Sequence, residues 1–204
     1  MRKLKVEIRS DKVVIDGYVN VTDRYSRPLS DGKGGFFIEK IEQGAFKRAI
    51  EQAEEIKCLL NHDWNRVLGS TKTNMKLKED IIGLRATIEI TDPEVIEKAK
   101  QKRLRGWSFR FYKPKDSEET RSDGIHTRSI SEFEMDEVSI IDERMRPCYE
   151  STTVEARGGS GEEITFEVRA EEFDVEYAEN EKRAKYDNSA LLKLIEELRG
   201  KEDE

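Results

Sequence analysis

Residues 106–111 read Gly-Trp-Ser-Phe-Arg-Phe, with an aromatic side chain at every second position. Strict period two is the mark of a half-buried β-strand, whose successive side chains point to opposite faces. Trp107, Phe109 and Phe111 therefore share the core face, and Ser108 and Arg110 share the other. Three aromatic anchors hold the backbone of Ser108 rigidly. A nucleophile needs such placement, and a surface serine does not. A lone strand serine more commonly just faces water, since short patterns carry false positives. The rest of the chain decides between the two.

Most of the chain reads as short strands. Lys3–Arg9 and Lys12–Asn20 form a first pair around Ser10-Asp11, and Tyr25–Gly35 is a Ser/Pro/Asp/Gly loop. Phe36–Ile41 is a strand, and Phe46, Ala49, Ile50 and Ala53 recur with the spacing of a short amphipathic helix. Lys57–Leu60, Val67–Ser70 and Asn74–Lys78 are further strands, and Ile82–Ile90 alternates most cleanly. Asp92-Pro93 opens a second helix with an N-cap acid and a first-turn proline. That helix is expected to run to about Arg105 and stop at Gly106. Lys115–Gly124 is expected to be a charged loop, Thr127–Ile141 extended, and Pro147 a turn. Many short strands with two inserted helices predict an α+β fold: a closed or half-closed β-barrel, mostly antiparallel, with helical cover.

Charge divides the chain. Residues 158–204 hold 7 Lys and Arg against 15 Asp and Glu, a net of −8, whereas the whole chain of 204 residues is −7, which leaves +1 for residues 1–157. The expected organisation is one domain over 1–157 and an acidic tail over 158–204, joined by the flexible Gly158-Gly159-Ser160-Gly161. In that tail Ile164–Val168 has strand character, and Leu191, Leu194, Ile195 and Leu198 form one helical face suited to tethering. The alternative is a tail that folds back, with Ile164, Phe166 and Val168 completing the sheet. A near-neutral body with an acidic tail argues against nucleic-acid binding, which needs a basic stripe. No apolar run reaches the length of a membrane span, and the N-terminus has no signal-peptide core. Cys58 and Cys148 lack metal-ligand spacing and read as reduced thiols, and no cofactor is expected.

A serine nucleophile requires a base, and histidine is the usual one because it titrates near neutrality. There are two histidines. His62 follows an apolar strand at a strand-to-loop junction, and His126 lies in a polar stretch. A third group must orient the base. Glu137 is the candidate: on strict alternation it shares a face with Phe133, Met135 and Ile141, and an acid at an apolar parity must be paired. The alternative is a β-bulge that turns Glu137 to water. Asp136 is the competing acid, and Asp63 reads as a turn former.

Taken together, Glu39, Ile41 and Gly44-Ala45-Phe46, then Asn61-His62-Asp63 with Leu68-Gly69, then Gly83-Leu84, Gly106-x-Ser108-Phe109-x-Phe111 and Glu137-Val138-Ser139 are specific as an ordered set. Over residues 13–157 the chain resembles the prohead proteases of tailed phages, the capsid maturation serine proteases of caudoviruses, similar in fold to the herpesvirus assemblins. The resemblance implies an assemblin-like barrel, with Ser108 as nucleophile, His62 as base and Glu137 as third member. It implies oxyanion donors from Glu143-Arg144-Met145-Arg146, Arg144 first and Arg146 second, although a solvated basic turn reads equally well there. Two positions depart from the family pattern. Gln43 stands where proline is common, and Arg110 stands where glycine is common two residues after the serine. Arg110, with Trp107, is assigned to the substrate cleft.

The implied function is a serine endopeptidase that cuts scaffold or major capsid protein extensions, and itself, in a procapsid assembling in the host cytoplasm. A homodimer is compatible with it, and neither nucleic acid nor membrane is an expected partner. The rival is a catalytically silent scaffold protein of the same fold, which has no need of Ser108, His62 and Glu137 together. A metal-dependent hydrolase fails for want of clustered ligands.

Overall fold

The structure, a computed structural model, describes residues 3–9, 11–31, 33–145, 152–157, 163–172 and 174–179. The strands are β1 (Lys3–Ile8), β2 (Val13–Val21), β3 (Leu29–Ser30), β4 (Phe36–Ile41), β5 (Lys57–Leu60), β6 (Asp63–Ser70), β7 (Met75–Glu79), β8 (Gly83–Ile90), β9 (Leu104–Thr120), β10 (His126–Asp142), β11 (Thr152–Arg157), β12 (Glu163–Glu172) and β13 (Asp174–Glu179). The helices are α1 (Ala45–Gln52) and α2 (Pro93–Lys100).

These strands form two open sheets, with no closed barrel among the described residues. One sheet has the order β13-β1-β2-β8-β7. The other has the order β11-β12-β9-β10-β4-β3, with β5 and β6 attached through β10. The hairpin β1–β2 hydrogen-bonds to β13 and β8, not to β9 or β10, so the sheets stay separate. The long strand β10 is the spine. It pairs with β9 along its length, with β4 through His126–Ile130 and with β5 through Glu137–Ile140. The second and third of these contacts are parallel.

The expected aromatic face lies in the core. Trp107, Phe109 and Phe111 are fully buried. Phe46 of α1 meets Phe109 and Phe133 edge-on at 5.3 and 5.2 Å between ring centroids, and Phe111 lies 5.3 Å from Phe133. This cluster backs the serine-bearing segment of β9 and pins α1 against β10. A carboxylate from the other sheet caps that helix: Gly44 N–H and Lys47 N–H donate to Glu79 at 2.8 and 2.7 Å.

Three expectations are corrected. The second helix starts as predicted, with Val95 N–H donating to Asp92 at 3.0 Å, but it ends at Lys100. Lys102 takes a left-handed φ of 57°, and the N–H groups of Lys102 and Arg103 reach back to the carbonyls of Ala99 and Lys98. This is a glycine-type stop made by a lysine, invisible to a search for glycine. Gly106 instead lies buried inside β9. Second, the charged stretch Lys115–Thr120 is strand, because Lys113–Glu134, Lys115–Glu132 and Arg128–Asp116 pair across β9 and β10. Third, the Tyr25–Gly35 segment contains the short strand β3.

Beyond Gly161 the described chain is strand. β12 pairs antiparallel with β9, setting Ala170 opposite Ser108 in register, and β13 pairs parallel with β1. Tyr177 clamps the start of β9: its hydroxyl donates to the Leu104 carbonyl at 3.0 Å and accepts from Leu104 N–H at 3.1 Å. Pro147, Cys148, the Gly158–Gly161 linker and the Leu191–Leu198 stripe lie outside the described residues.

Truncation of Phe109 to alanine should cost about 3–5 kcal/mol, because it opens a void that Phe46, Phe111 and Phe133 cannot close. Phe36→Ala, at a position that is 66% exposed, should change stability by less than about 0.5 kcal/mol. Urea unfolding of both variants checks the contrast.

Candidate active site

Ser108 lies on β9, Glu137 on its partner β10, and His62 in the turn after β5, which also pairs with β10. In register, Ser108 of β9 lies opposite Ser139 of β10, whose other neighbour is Leu59 of β5. The strand β5 ends at Leu60, and His62 follows one residue later. The three side chains meet. His62 Nε2 lies 2.7 Å from Ser108 Oγ, and His62 Nδ1 lies 2.7 Å from Glu137 Oε1. A carboxylate only accepts, so Nδ1 carries the proton toward Glu137 and the Nε2 lone pair is left for the Ser108 hydroxyl.

A bulge puts Glu137 there. Phe111 pairs with Met135 and Arg110 with Glu137, so Asp136 is an extra residue on β10. Phe133 and Met135 face the core before the bulge, and Val138 and Ile140 face it afterwards. Strict alternation, which placed Glu137 on the Phe133 and Met135 face, is therefore broken. The bulge does not release Glu137 to water either. It turns the carboxylate onto the Ser108 face, where it is fully buried and bonded to His62. Asp136, the competing acid, binds the Arg110 guanidinium through both carboxylate oxygens.

The turn that carries His62 is a two-residue hairpin between Leu60 and Asp63. Asn61 and His62 both have positive φ, 54° and 60°. This is the pattern of the tight hairpin turn that usually takes Asn-Gly. Histidine in that conformation costs about 1–2 kcal/mol. Hydrogen bonds to β10 hold it: Asn61 N–H donates to the Ile140 carbonyl at 2.9 Å, and His62 N–H donates to Ser139 Oγ at 3.2 Å. Asn61 Oδ1 accepts from Asp142 N–H at 3.0 Å.

Other expected residues fall elsewhere. Trp107, assigned to the cleft, is fully buried on the opposite face with Phe109, because strand alternation carries it into the core. Arg110 shares the Ser108 face, with its guanidinium 4.7 Å from the Trp64 ring centroid. Trp64, at the start of β6, had drawn no attention in the sequence. His126 lies at the far end of β10 and bonds Thr120 at 2.9 Å. Asp63 caps Asn65 N–H at 2.9 Å, as a turn former should. The Arg144 guanidinium is bound to Asp142 at 2.8 Å and Glu94 at 3.4 Å. Arg146 lies outside the described residues. Cys58 sits beside the site as a buried free cysteine; burial and the Glu137 charge push its thiol pKa up, so it stays protonated.

Comparison with known families decides the kinship. The family model described as caudovirus prohead serine protease matches residues 2–183. The chain belongs to that family. The match starts before the stretch that carries the sequence motifs and continues through β12 and β13. No curated protein and no solved structure matches the chain. Membership of that family supports a role in phage capsid maturation. No described helix is long and apolar enough to cross a membrane.

Beside Ser108, His62 and Glu137, an ionic cluster ties the structure together. Asp142 has no exposed side-chain surface and meets Lys98 at 3.1 Å and Arg144 at 2.8 Å. Burial alone would raise its pKa. The Arg144 side chain and N–H, the Asn61 side chain and Lys98 overturn that and hold it at about 2. The folded value lies below the unfolded one, so this stabilisation is complete above about pH 4 and disappears as pH falls toward 2. It amounts to roughly 2 kcal/mol. Asp142→Asn should lose about 2 kcal/mol at neutral pH, since Lys98 keeps Glu143 and Arg144 keeps Glu94 as partners. Its stability should also fall less steeply between pH 4 and 2. Urea unfolding across that range checks both outcomes.

Proposed function

We propose that this chain is a serine endopeptidase of procapsid maturation in which Ser108 is the nucleophile, His62 the base and Glu137 the orienting acid. The observation that supports the roles most directly is the hydrogen-bond chain from Ser108 Oγ through His62 to Glu137, with both links at 2.7 Å. In this reading Nε2 takes the hydroxyl proton as Ser108 Oγ attacks the scissile carbonyl. Glu137 stabilises the imidazolium that results. The same proton then passes to the leaving amine. Water, deprotonated by His62, hydrolyses the acyl-enzyme and restores the serine.

The oxyanion donors are assigned to the Glu143–Arg146 segment. Arg144 N–H and its guanidinium are both anchored on Asp142, which holds the start of that segment still. Arg110 lines the approach with Trp64, and Asp136 neutralises its charge, so it shapes the cleft more than it attracts acidic substrate. Ser108 and Glu137 are fully buried, and the His62 side chain is 17% exposed. Substrate therefore reaches the serine only after local opening, which suits an enzyme idle until it is concentrated inside a shell. The substrates are the extensions of scaffold or major capsid protein, and the chain itself. The silent-scaffold reading leaves the hydrogen-bonded burial of the Glu137 carboxylate without a purpose.

The test is co-expression with a candidate major capsid protein, read by the shortening of that protein. Ser108→Ala should abolish cleavage and leave the fold intact. His62→Ala should slow it about 100- to 10,000-fold, the usual contribution of a general base. Glu137→Gln should be milder, and Arg144→Ala should lower both the cleavage rate and the rate of nucleophile labelling by a fluorophosphonate, because both reactions develop negative charge on the oxygen that the oxyanion donors face. Full processing by the Ser108→Ala chain would overturn the reading.

A further inference from the structure

We propose that Ser139 is a positioning residue for the triad, a proposal that rests on the protease reading above. Ser139 is fully buried between Ser108 and Leu59 in register. Its hydroxyl lies 2.6 Å from Glu137 Oε2, 3.2 Å from the His62 backbone N and 3.4 Å from His62 Nδ1. A hydroxyl has one proton to give and two lone pairs to offer. The backbone N–H can only donate and the carboxylate can only accept, so the proton goes to Glu137 Oε2 and a lone pair receives His62 N–H. The Nδ1 proton is left to the nearer acceptor, Glu137 Oε1 at 2.7 Å.

This one side chain performs two tasks. It satisfies the second oxygen of a carboxylate that has no water to turn to, and so fixes the plane in which Oε1 meets the imidazole. It also tethers the backbone of His62 in its left-handed conformation. Glu137 and Ser139 are two residues apart on one strand after the bulge, so they share the Ser108 face without further contrivance. If Ser139 is removed, the carboxylate can rotate and the turn can relax, and both movements carry Nε2 away from Ser108 Oγ.

The experiment measures the second-order rate of labelling by a fluorophosphonate ester for the wild-type chain and its Ser108→Ala, Ser139→Ala and Ser139→Cys variants. Thermal unfolding of each is recorded alongside. Ser139→Ala should be labelled about 10- to 100-fold more slowly, the scale of a misplaced catalytic group. Ser139→Cys keeps the shape with a weaker donor and should fall between the two. It also decides the matter if the alanine variant does not fold. A purely structural serine would lower the unfolding temperature and leave the rate per folded molecule unchanged. That outcome overturns the proposal. If the wild-type chain itself is not labelled at Ser108, the protease reading fails and the role of Ser139 fails with it.

Discussion

A carboxylate buried without solvent must have its oxygens bonded, and the structure around Glu137 is arranged to meet that demand. Oε1 is met by the His62 ring and Oε2 by the Ser139 hydroxyl. To reach the first, the chain makes a hairpin turn in an unfavourable conformation. To present the carboxylate at all, it inserts an extra residue into β10. That residue, Asp136, finds its partner in Arg110, across from Glu137. Bulge, turn and ion pair are therefore linked consequences of one buried charge. The aromatic cluster on the opposite face makes the arrangement stiff, because Phe109 and Val138 are core neighbours of the residues that carry the chemistry.

A second layer of charge supports the first. Asp142 joins α2 through Lys98, the following loop through Arg144, and the His62 turn through Asn61. The Arg144 partner Glu94 also binds Arg66 on β6. The hairpin that carries the histidine is thus braced by helix α2 directly on β6 and, by way of Asp142, at its turn. Most of these groups are exposed in part, and such pairs add little individually. Asp142 differs because it is fully buried, so its partners determine whether it can remain ionised.

The strands were legible wherever one face is apolar. The period-two signal at Trp107–Phe111 and Ile82–Ile90 reports the core directly, and Asp92-Pro93 reports a helix start directly. The β9 arm of the hairpin beyond Lys113 was not legible, because its cross-strand pairs are between charges and leave no apolar alternation to read. Nor was the end of α2, where a lysine takes the conformation expected of glycine. Ser108 and His62 stood out by strand context and by the scarcity of histidine. Glu137 was picked out as an acid at an apolar parity, yet it sits on the other face, because one extra residue shifts every side chain after it. Ser139 lay in a quoted motif without a role. Its hydroxyl gains meaning only when β5 is laid against β10.

The turn at Asn61-His62 has a consequence for how rate and stability are shared. Glycine is the residue most at ease at the second position of such a turn, and a glycine there would leave the hairpin looser and Ser108 without its imidazole partner. By holding the histidine in a single unfavourable backbone basin, the protein freezes the imidazole during folding, long before any peptide arrives. With the proposed roles, the entropy of aligning base with nucleophile is then a cost of assembling the protein once, borne by the sheet, and each turnover would start with that alignment already in place.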